Sequence, residues 1–365
     1  MTDNTETLAT KNVVENVTEN IVENVAEQIK EKKSTKDKTF WERNRLSEGY
    51  LLKKKIVSVF LKVCRAILLF GMCFLILQPL LNKISVSFME EQDLYNPVVI
   101  SIPEHFTFSN YQTAYEVMEY GKAFKNSLIL AITIAIVQIL VCTLVGYGFA
   151  RFNFPLKKLW FAFVMMIIIV PPQTISSSLH LHFKFFDIFG IINAVSGSPL
   201  TLLGNPVCYY LLSIGCMGLK NGLYIYMIRQ YFRNIPYDLE EAAYIDGCGT
   251  LKTFFKIMLP QAKPIITSCF LFALVWQWTD GFYAKYFMSN TQLVSYNLAK
   301  IVDSLGVFIA RKMGLPGQGA TAISLAYSNC ILGTGTLMIV MPMVILYMFA
   351  QRQFVESISS TGIKM

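Results

Sequence analysis

The chain has 365 residues, of which 54% are hydrophobic and 15% charged, with a mean hydropathy of +0.45. Soluble domains carry about 25% charged and 45–50% apolar residues, so this composition excludes a disordered polar chain and a single soluble globule. The net charge of +8 does not point to nucleic acid. Lysine and arginine crowd into residues 30–65 and into short stretches between apolar blocks, as basic residues sort around a membrane.

Residues 1–57 read as a polar, basic, partly helical cytoplasmic extension. Val13, Val17, Ile21, Val25 and Ile29 recur every fourth residue with Glu15, Glu19, Glu23 and Glu27 between them, an amphipathic helix pattern. The tetrapeptide Val-Glu-Asn-Val stands at 14–17 and again at 22–25. The pattern fits a solvated extension or a helix that docks on a protein. The first 40 residues lack the apolar core of a signal peptide.

Six apolar segments follow, at about 58–81, 127–149, 158–178, 207–230, 264–286 and 333–351. A membrane span needs about 20 apolar residues at a rise of about 1.5 Å each. The expected fold class is therefore all-α, a polytopic membrane protein with six transmembrane helices over 58–351 and a tail at 352–365. Lys62 and Arg65 lie close enough to the start of the first segment to snorkel. Lys220 and Asn221 interrupt the fourth, and Lys220, between Gly218 and Gly222, marks a possible break there. With the N-terminus inside, 23 of the 32 lysines and arginines fall on the inner side and 8 on the outer, which favours both termini in the cytoplasm. The outer connections are 82–126, 179–206 and 287–332, the last reading as an irregular loop around 305–320. Of the eight cysteines (Cys64, Cys73, Cys142, Cys208, Cys216, Cys248, Cys269 and Cys330), most sit inside apolar blocks and none forms a CxxC pair. They read as small packing residues rather than disulfide or metal partners.

The inner loop at 231–262 is moderately polar but helically spaced. Pro236 suits a first helical turn, and Asp238, Glu240 and Glu241 follow where the helix dipole favours negative charge. Ala242 and Ala243 form helix with little bulk. Gly247 and Gly249 permit the left-handed backbone that ends a helix. A second short helix is expected from Thr250 to Met258, before Pro260 and Pro264. A small acidic helix of this kind fits a groove on a partner, with Glu241 able to pair with an arginine. Two interfacial helices with solvated glutamates fit the same residues.

Glu241-Ala242-Ala243, then Gly247, Ile257 and Leu259-Pro260, keep the register of the EAA loop of bacterial ATP-binding-cassette importer permeases, which this chain resembles. Further likenesses point to the maltose-type carbohydrate branch. These are Ile102-Pro103 with Asn110-Tyr111, Gly146 to Pro155 around Ala150-Arg151-Phe152, Val170-Pro171-Pro172-Gln173, Arg229-Gln230-Tyr231-Phe232, and the tail Gln351 to Glu356 with Gly362 and Lys364. Together they cover roughly residues 58–365. The resemblance implies a coupling helix between the fourth and fifth spans. Glu241, Ala242, Ala243, Asp246, Gly247, Ile257, Leu259 and Pro260 would meet the ATPase. It also implies a second permease subunit, of a different sequence as is usual in this branch, two ATP-binding cassette ATPase subunits and an extracellular solute-binding protein. Where the family usually carries Trp-Asn-Asp, this chain has Trp278-Thr279-Asp280, and its outer stretch 287–332 is longer than usual.

Polar groups at membrane depth are costly and mark cavities or partners. Gln138, Lys220, Asn221, Gln277, Thr279 and Asp280 are such groups. Lys220, Asn221, Gln277, Trp278, Thr279 and Asp280 are candidates for a solute path, with Trp276, Tyr283 and Tyr286 as flat faces for a sugar. Trp276, Trp278 and Tyr286 also fit an interfacial belt, with Asp280 paired to Lys285. His180 and His182 lack a third ligand, so no metal site is expected. No GxxxxGK[ST] stretch occurs. The chain is thus expected to bind no cofactor and catalyse nothing itself, with ATP and Mg used by the partner ATPase. An intramembrane enzyme would need a clustered carboxylate or metal site, and an ion-coupled transporter would leave the EAA loop unexplained. A permease for a non-sugar solute remains an alternative.

Overall fold

The computed structural model describes residues 45, 49–188, 190–288, 291–314 and 323–361. The amphipathic pattern at 13–29 and the Gly362 and Lys364 end of the tail lie outside the described residues. The chain divides into two units, residues 1–80 and 81–365. The described part of the first unit is dominated by the long helix α1, Tyr50–Ser87, which continues past the unit boundary. It exceeds the expected 58–81 at both ends, because a helix satisfies its own backbone and continues through polar flanks such as Lys53, Lys54 and Lys55.

In the second unit, α2 (Glu91–Tyr95) and α3 (Ser109–Val117) precede α4 (Tyr120–Arg151). Three described helices are long and apolar enough to cross a membrane: Leu52–Ser87, Tyr120–Arg151 and Leu325–Gln351. Two bent pairs raise the number to five if each is one span. The first joins α5 (Lys157–Ile169) to α6 (Pro172–Lys184) at 101°. The bend has a local cause. Val170 precedes a proline and is extended, and Pro171 has no N–H to continue the ladder. The second bent pair joins Thr250–Gln261 to Lys263–Thr279 at 74°.

The fourth apolar segment is two helices rather than one rod. Following α7 (Ile191–Ser196), α8 (Val207–Ile214) and α9 (Asn221–Asn234) flank a turn in which Cys216 and Lys220 have φ of 59° and 62°. The break therefore falls at Lys220, as the flanking glycines suggest. The loop at 231–262 forms α10 (Asp238–Ile245), α11 (Thr250–Thr253), a π-helical turn at Phe254–Met258, and α12 (Leu259–Gln261). The fifth segment, α13 (Lys263–Thr279), ends seven residues before the expected 286. Asp280 is extended, and a separate helix α14 (Phe282–Phe287) follows. The outer stretch read as irregular around 305–320 is helical where described to Lys312. It comprises α15 (Val294–Ala299) and α16 (Ile301–Lys312), the latter burying Ile301 and Leu305 on one face, with Ala310 also buried near its end. The last helix, α17 (Leu325–Thr361), carries Pro342 inside it.

Helix α4 is the spine of this unit and contributes to three apolar clusters. Toward its C-terminal end, Ile139, Cys142 and Tyr147 pack with Tyr224, Ile225, Ile228, Phe232, Met258 and Ile265. Leu130 and Ile134 pack with Tyr209, Tyr283 and Phe287. Ala123 and Ala131 pack with Met118, Trp278, Ile301 and Ile331. Small residues set the closest approach. A Cβ on Gly146 would lie 2.9 Å from Ile228 Cγ2, and one on Gly222 would lie 2.9 Å from the Val164 carbonyl oxygen.

Candidate functional site

The first helix of the inner loop, α10, has three acidic residues in its first turn, Asp238, Glu240 and Glu241. Its end is a left-handed turn. Gly247 has φ +77°, and the amides of Cys248 and Gly247 donate to the carbonyls of Ala243 and Tyr244 at 2.9 and 3.0 Å. Ala243 and Glu240 face inward, 3% and 5% exposed. Glu241, Ala242, Asp246, Gly247 and Pro260 are exposed, while Ile257 and Leu259 are half-buried. The expected surface residues therefore divide: Glu241, Ala242, Asp246 and Gly247 lie on an outward face, whereas Ala243, also expected at the surface, is buried beside Glu240 on the inward face.

That inward face is held by the sequence Tyr147 to Arg151 at the C-terminal end of α4. Arg151 Nε lies 3.3 Å from Glu240 Oε1, with both side chains almost fully buried. The Tyr147 hydroxyl donates to the same oxygen at 3.2 Å. Arg151 Nη2 donates to the Ile235 carbonyl at 2.7 Å, and its guanidinium lies 4.2 Å from the centroid of the Tyr237 ring. Nε is off hydrogen-bond geometry and Nη1 has no acceptor, so charge and stacking hold the pair more than ideal hydrogen bonds do. The following turn is anchored to the same spot. The Phe254 and Phe232 rings lie 4.8 and 5.2 Å from Tyr147. Arg151 and Glu240 are functional candidates that sequence reading missed. The available signal was an arginine at the end of an apolar segment and a glutamate one residue before the Glu-Ala-Ala tripeptide.

The residues expected to line a path separate into two sets. Asn221 is fully buried, accepts from the Gln138 amide and donates to the Ser213 carbonyl at 3.1 Å. Trp278 is 1% exposed and donates to the Ile339 carbonyl at 3.1 Å, so it belongs to the core rather than to an interfacial belt. Asp280 accepts from the Tyr209 hydroxyl at 2.7 Å and from the amides of Phe282 and Tyr283 at 3.2 and 3.1 Å. Its partner is thus Tyr209 and the start of α14, not Lys285. Gln277 is also buried. Lys220 and Thr279 are exposed, and Lys220 Nζ lies 4.8 Å from the centroid of the Trp276 ring. Lys220 also lines a cavity of about 560 Å³ beside the 101° bend, with Pro171, Gln173, Met217 and Tyr283.

The segment between α1 and α3 carries a separate polar cluster. His105 Nδ1 lies 2.8 Å from Asp93 Oδ1, and the His105 amide donates to Asp93 Oδ2 at 2.8 Å. The imidazole hydrogen bond lowers the Asp93 pKa, and the carboxylate raises that of His105.

A family model for the "binding-protein-dependent transport system inner membrane component" matches residues 142–360. A melibiose/raffinose/stachyose import permease protein of Bacillus subtilis (strain 168) is 30% identical over 262 residues, 72% of this chain and 83% of that protein. A probable ABC transporter permease protein of Pyrococcus horikoshii is 32% identical over 192 residues, 52% of this chain. The match spans 63% of that relative's length. In fold, the chain resembles one in the crystal structure of a bacterial ABC transporter involved in the import of the acidic polysaccharide alginate. The TM-score is 0.58 at 19% identity, covering 81% of this chain and 97% of that chain.

Proposed function

Because the chain belongs to the family of binding-protein-dependent transport system inner membrane components, we propose that it is the permease subunit of an ATP-driven importer that carries a carbohydrate, most simply an oligosaccharide. The family is one of membrane transport subunits, and the chain is a multi-pass, mostly helical membrane protein. The complete unit has six spans, counting each bent pair and the split α8–α9 segment once, with both termini in the cytoplasm. Its partners are a second permease, two ATP-binding cassette ATPases that use ATP and Mg, and an extracellular solute-binding protein. The name of the Bacillus relative supports the choice of an oligosaccharide.

The observation that carries this reading is the exposed face of α10. Glu241, Ala242, Asp246 and Gly247 present a small, acidic surface, while the opposite face is buried against the rest of the unit. Small residues let a partner approach closely, and the carboxylates pair with arginine. ATP binding closes the ATPase pair, draws the two loops together and rocks the spans between inward-open and outward-open states. Solute passes through the cavity side of Lys220 and Trp276, where a cation and a flat ring suit sugar hydroxyls and sugar faces. The buried candidates Asn221, Gln277, Trp278 and Asp280 fix the walls of that path.

The test is co-purification of an ATP-binding cassette ATPase from membranes of the native host, for wild type and for Glu241→Lys. A stoichiometric ATPase in the wild-type complex, lost in the variant with membrane insertion intact, is the expected result. An ATPase retained unchanged in Glu241→Lys excludes the docking assignment.

A further inference from the structure

The geometry points to Arg151 as a positioning residue that clamps Glu240, and with it α10, to the C-terminal end of α4, so that this loop helix and the second apolar helix move as one body. The inference rests on the ATPase-docking reading of α10 and extends it inward, to what the docked helix pulls.

Arg151 makes three kinds of contact across the junction. It faces the Glu240 carboxylate at 3.3 Å, donates to the Ile235 carbonyl at 2.7 Å, and stacks on Tyr237 at 4.2 Å. These lie at the end of α9, in the connecting turn and in the first turn of α10. One guanidinium thus gathers the whole approach to the loop helix. Tyr147, one turn earlier on α4, holds the same Glu240 oxygen at 3.2 Å, so two residues of one helix face grip one carboxylate. The ion pair is nearly dry, with side chains 2% and 7% exposed. In such surroundings separating the charges is costly, because each would be left unpaired away from water. A surface pair at the same distance would be screened and would slip under load. The next turn of the loop sets Phe254 against Tyr147, a second anchor on the same helix. With two anchors, α10 cannot swing about either one alone.

The direct test measures a nitroxide–nitroxide distance between Asp238→Cys on α10 and Leu144→Cys on α4, both exposed positions. Cys64, Cys73, Cys216 and Cys248 are replaced by alanine in this background. The double variant Arg151→Gln/Glu240→Gln removes both charges together and leaves no lone buried ion. Arg151→Lys is the conservative comparison. In the chain that carries neither change, one narrow distance is expected, the same without nucleotide and after trapping the complex with ATP and vanadate. In the double variant the distribution should widen about twofold, as expected for a freed local unit. Trapping should then shift the distance by about 5 Å, one helical turn, while the ATPase still co-purifies. Arg151→Lys should restore the narrow distance in part.

A double variant with the wild-type distance in both states overturns the proposal, as does a wild-type distance that shifts on trapping. Loss of the ATPase from the double variant, with an unchanged distance in the isolated chain, makes Arg151 a docking residue and also overturns it. If the wild-type chain itself binds no ATPase, the docking reading fails. The clamp is then still judged by the width in the isolated chain, where equal widths in wild type and double variant overturn it.

Discussion

The Tyr209 hydroxyl and the Asp280 carboxylate meet at 2.7 Å across 71 residues of sequence. The second carboxylate oxygen accepts from the amides of Phe282 and Tyr283 at 3.2 and 3.1 Å, so Asp280 starts α14 while Tyr209 ties it to α8. Removing it strands a buried hydroxyl and two amides. Asp280→Ala is therefore expected to destabilise the protein by roughly 2–3 kcal/mol, read as a lowered thermal midpoint in detergent. Asp280→Asn should cost less, because its carbonyl still accepts. A midpoint unchanged in Asp280→Ala would place the carboxylate outside the folded framework.

Gly247 makes a second case, one of backbone alone. Its φ is +77°, and a Cβ there would meet nothing within 4 Å. Gly247→Val thus has space but the wrong conformation, and the expected cost is about 1–2 kcal/mol of local unwinding. The expected signs are faster amide exchange at Cys248, whose N–H bonds to Ala243, and weaker ATPase retention, with no change in overall expression. Equal exchange in both proteins would show that the turn tolerates a branched side chain.

Gly222 is the opposite case, one of space alone. A Cβ would stand 2.9 Å from the Val164 carbonyl oxygen and 2.9 Å from Ile168 Cγ1. Gly222→Leu should push α9 from α5 and cost about 1–3 kcal/mol or more. Loss of folded protein in size-exclusion profiles checks this. Gly222→Ala is the milder member of the series.

The Asp93–His105 pair sets a pH window. The folded Asp93 pKa lies below 3.8, owing first to the imidazole hydrogen bond, so its contribution is present above 3.8 and lost as pH falls through the lower folded value. The folded His105 pKa lies above 6.5, owing first to the same hydrogen bond. Its contribution is complete below 6.5 and fades as pH rises through the higher folded value. Glu90 and Glu104 add to the His105 effect. Protection of the His105 and Thr107 amides should therefore be greatest between those two ordinary values. It should fall on the alkaline side, once the contribution of intrinsic exchange is removed. His105→Ala should flatten the profile.

Local chemistry was legible from residue order. The acidic first turn of α10, its glycine stop and the break at Lys220 each depend on a few neighbouring residues. What remained hidden depends on pairing at a distance. Nothing near Asp280 names Tyr209 as its partner, and nothing near Glu240 names Arg151, 89 positions earlier. The same limit misplaced Trp278. Its apolar ring and single N–H suit a membrane interface as well as a core, and only the Ile339 carbonyl decides between them. The helical outer stretch 301–312 was obscured by small residues, Ser304 and Gly306, whose loop preference is outweighed by the burial of Ile301 and Leu305 on one face.

The π-helical turn at Phe254–Met258 sits between the clamped loop helix and the long rod beginning at Lys263. A widened turn holds one residue more than the ordinary coil needs. Phe254 and Met258 within it are buried, and Phe254 packs on Tyr147, so the extra residue is pinned where it stands. The helical phase of everything after it is thereby offset from that of the loop, which decides the side that the rod turns toward its neighbours.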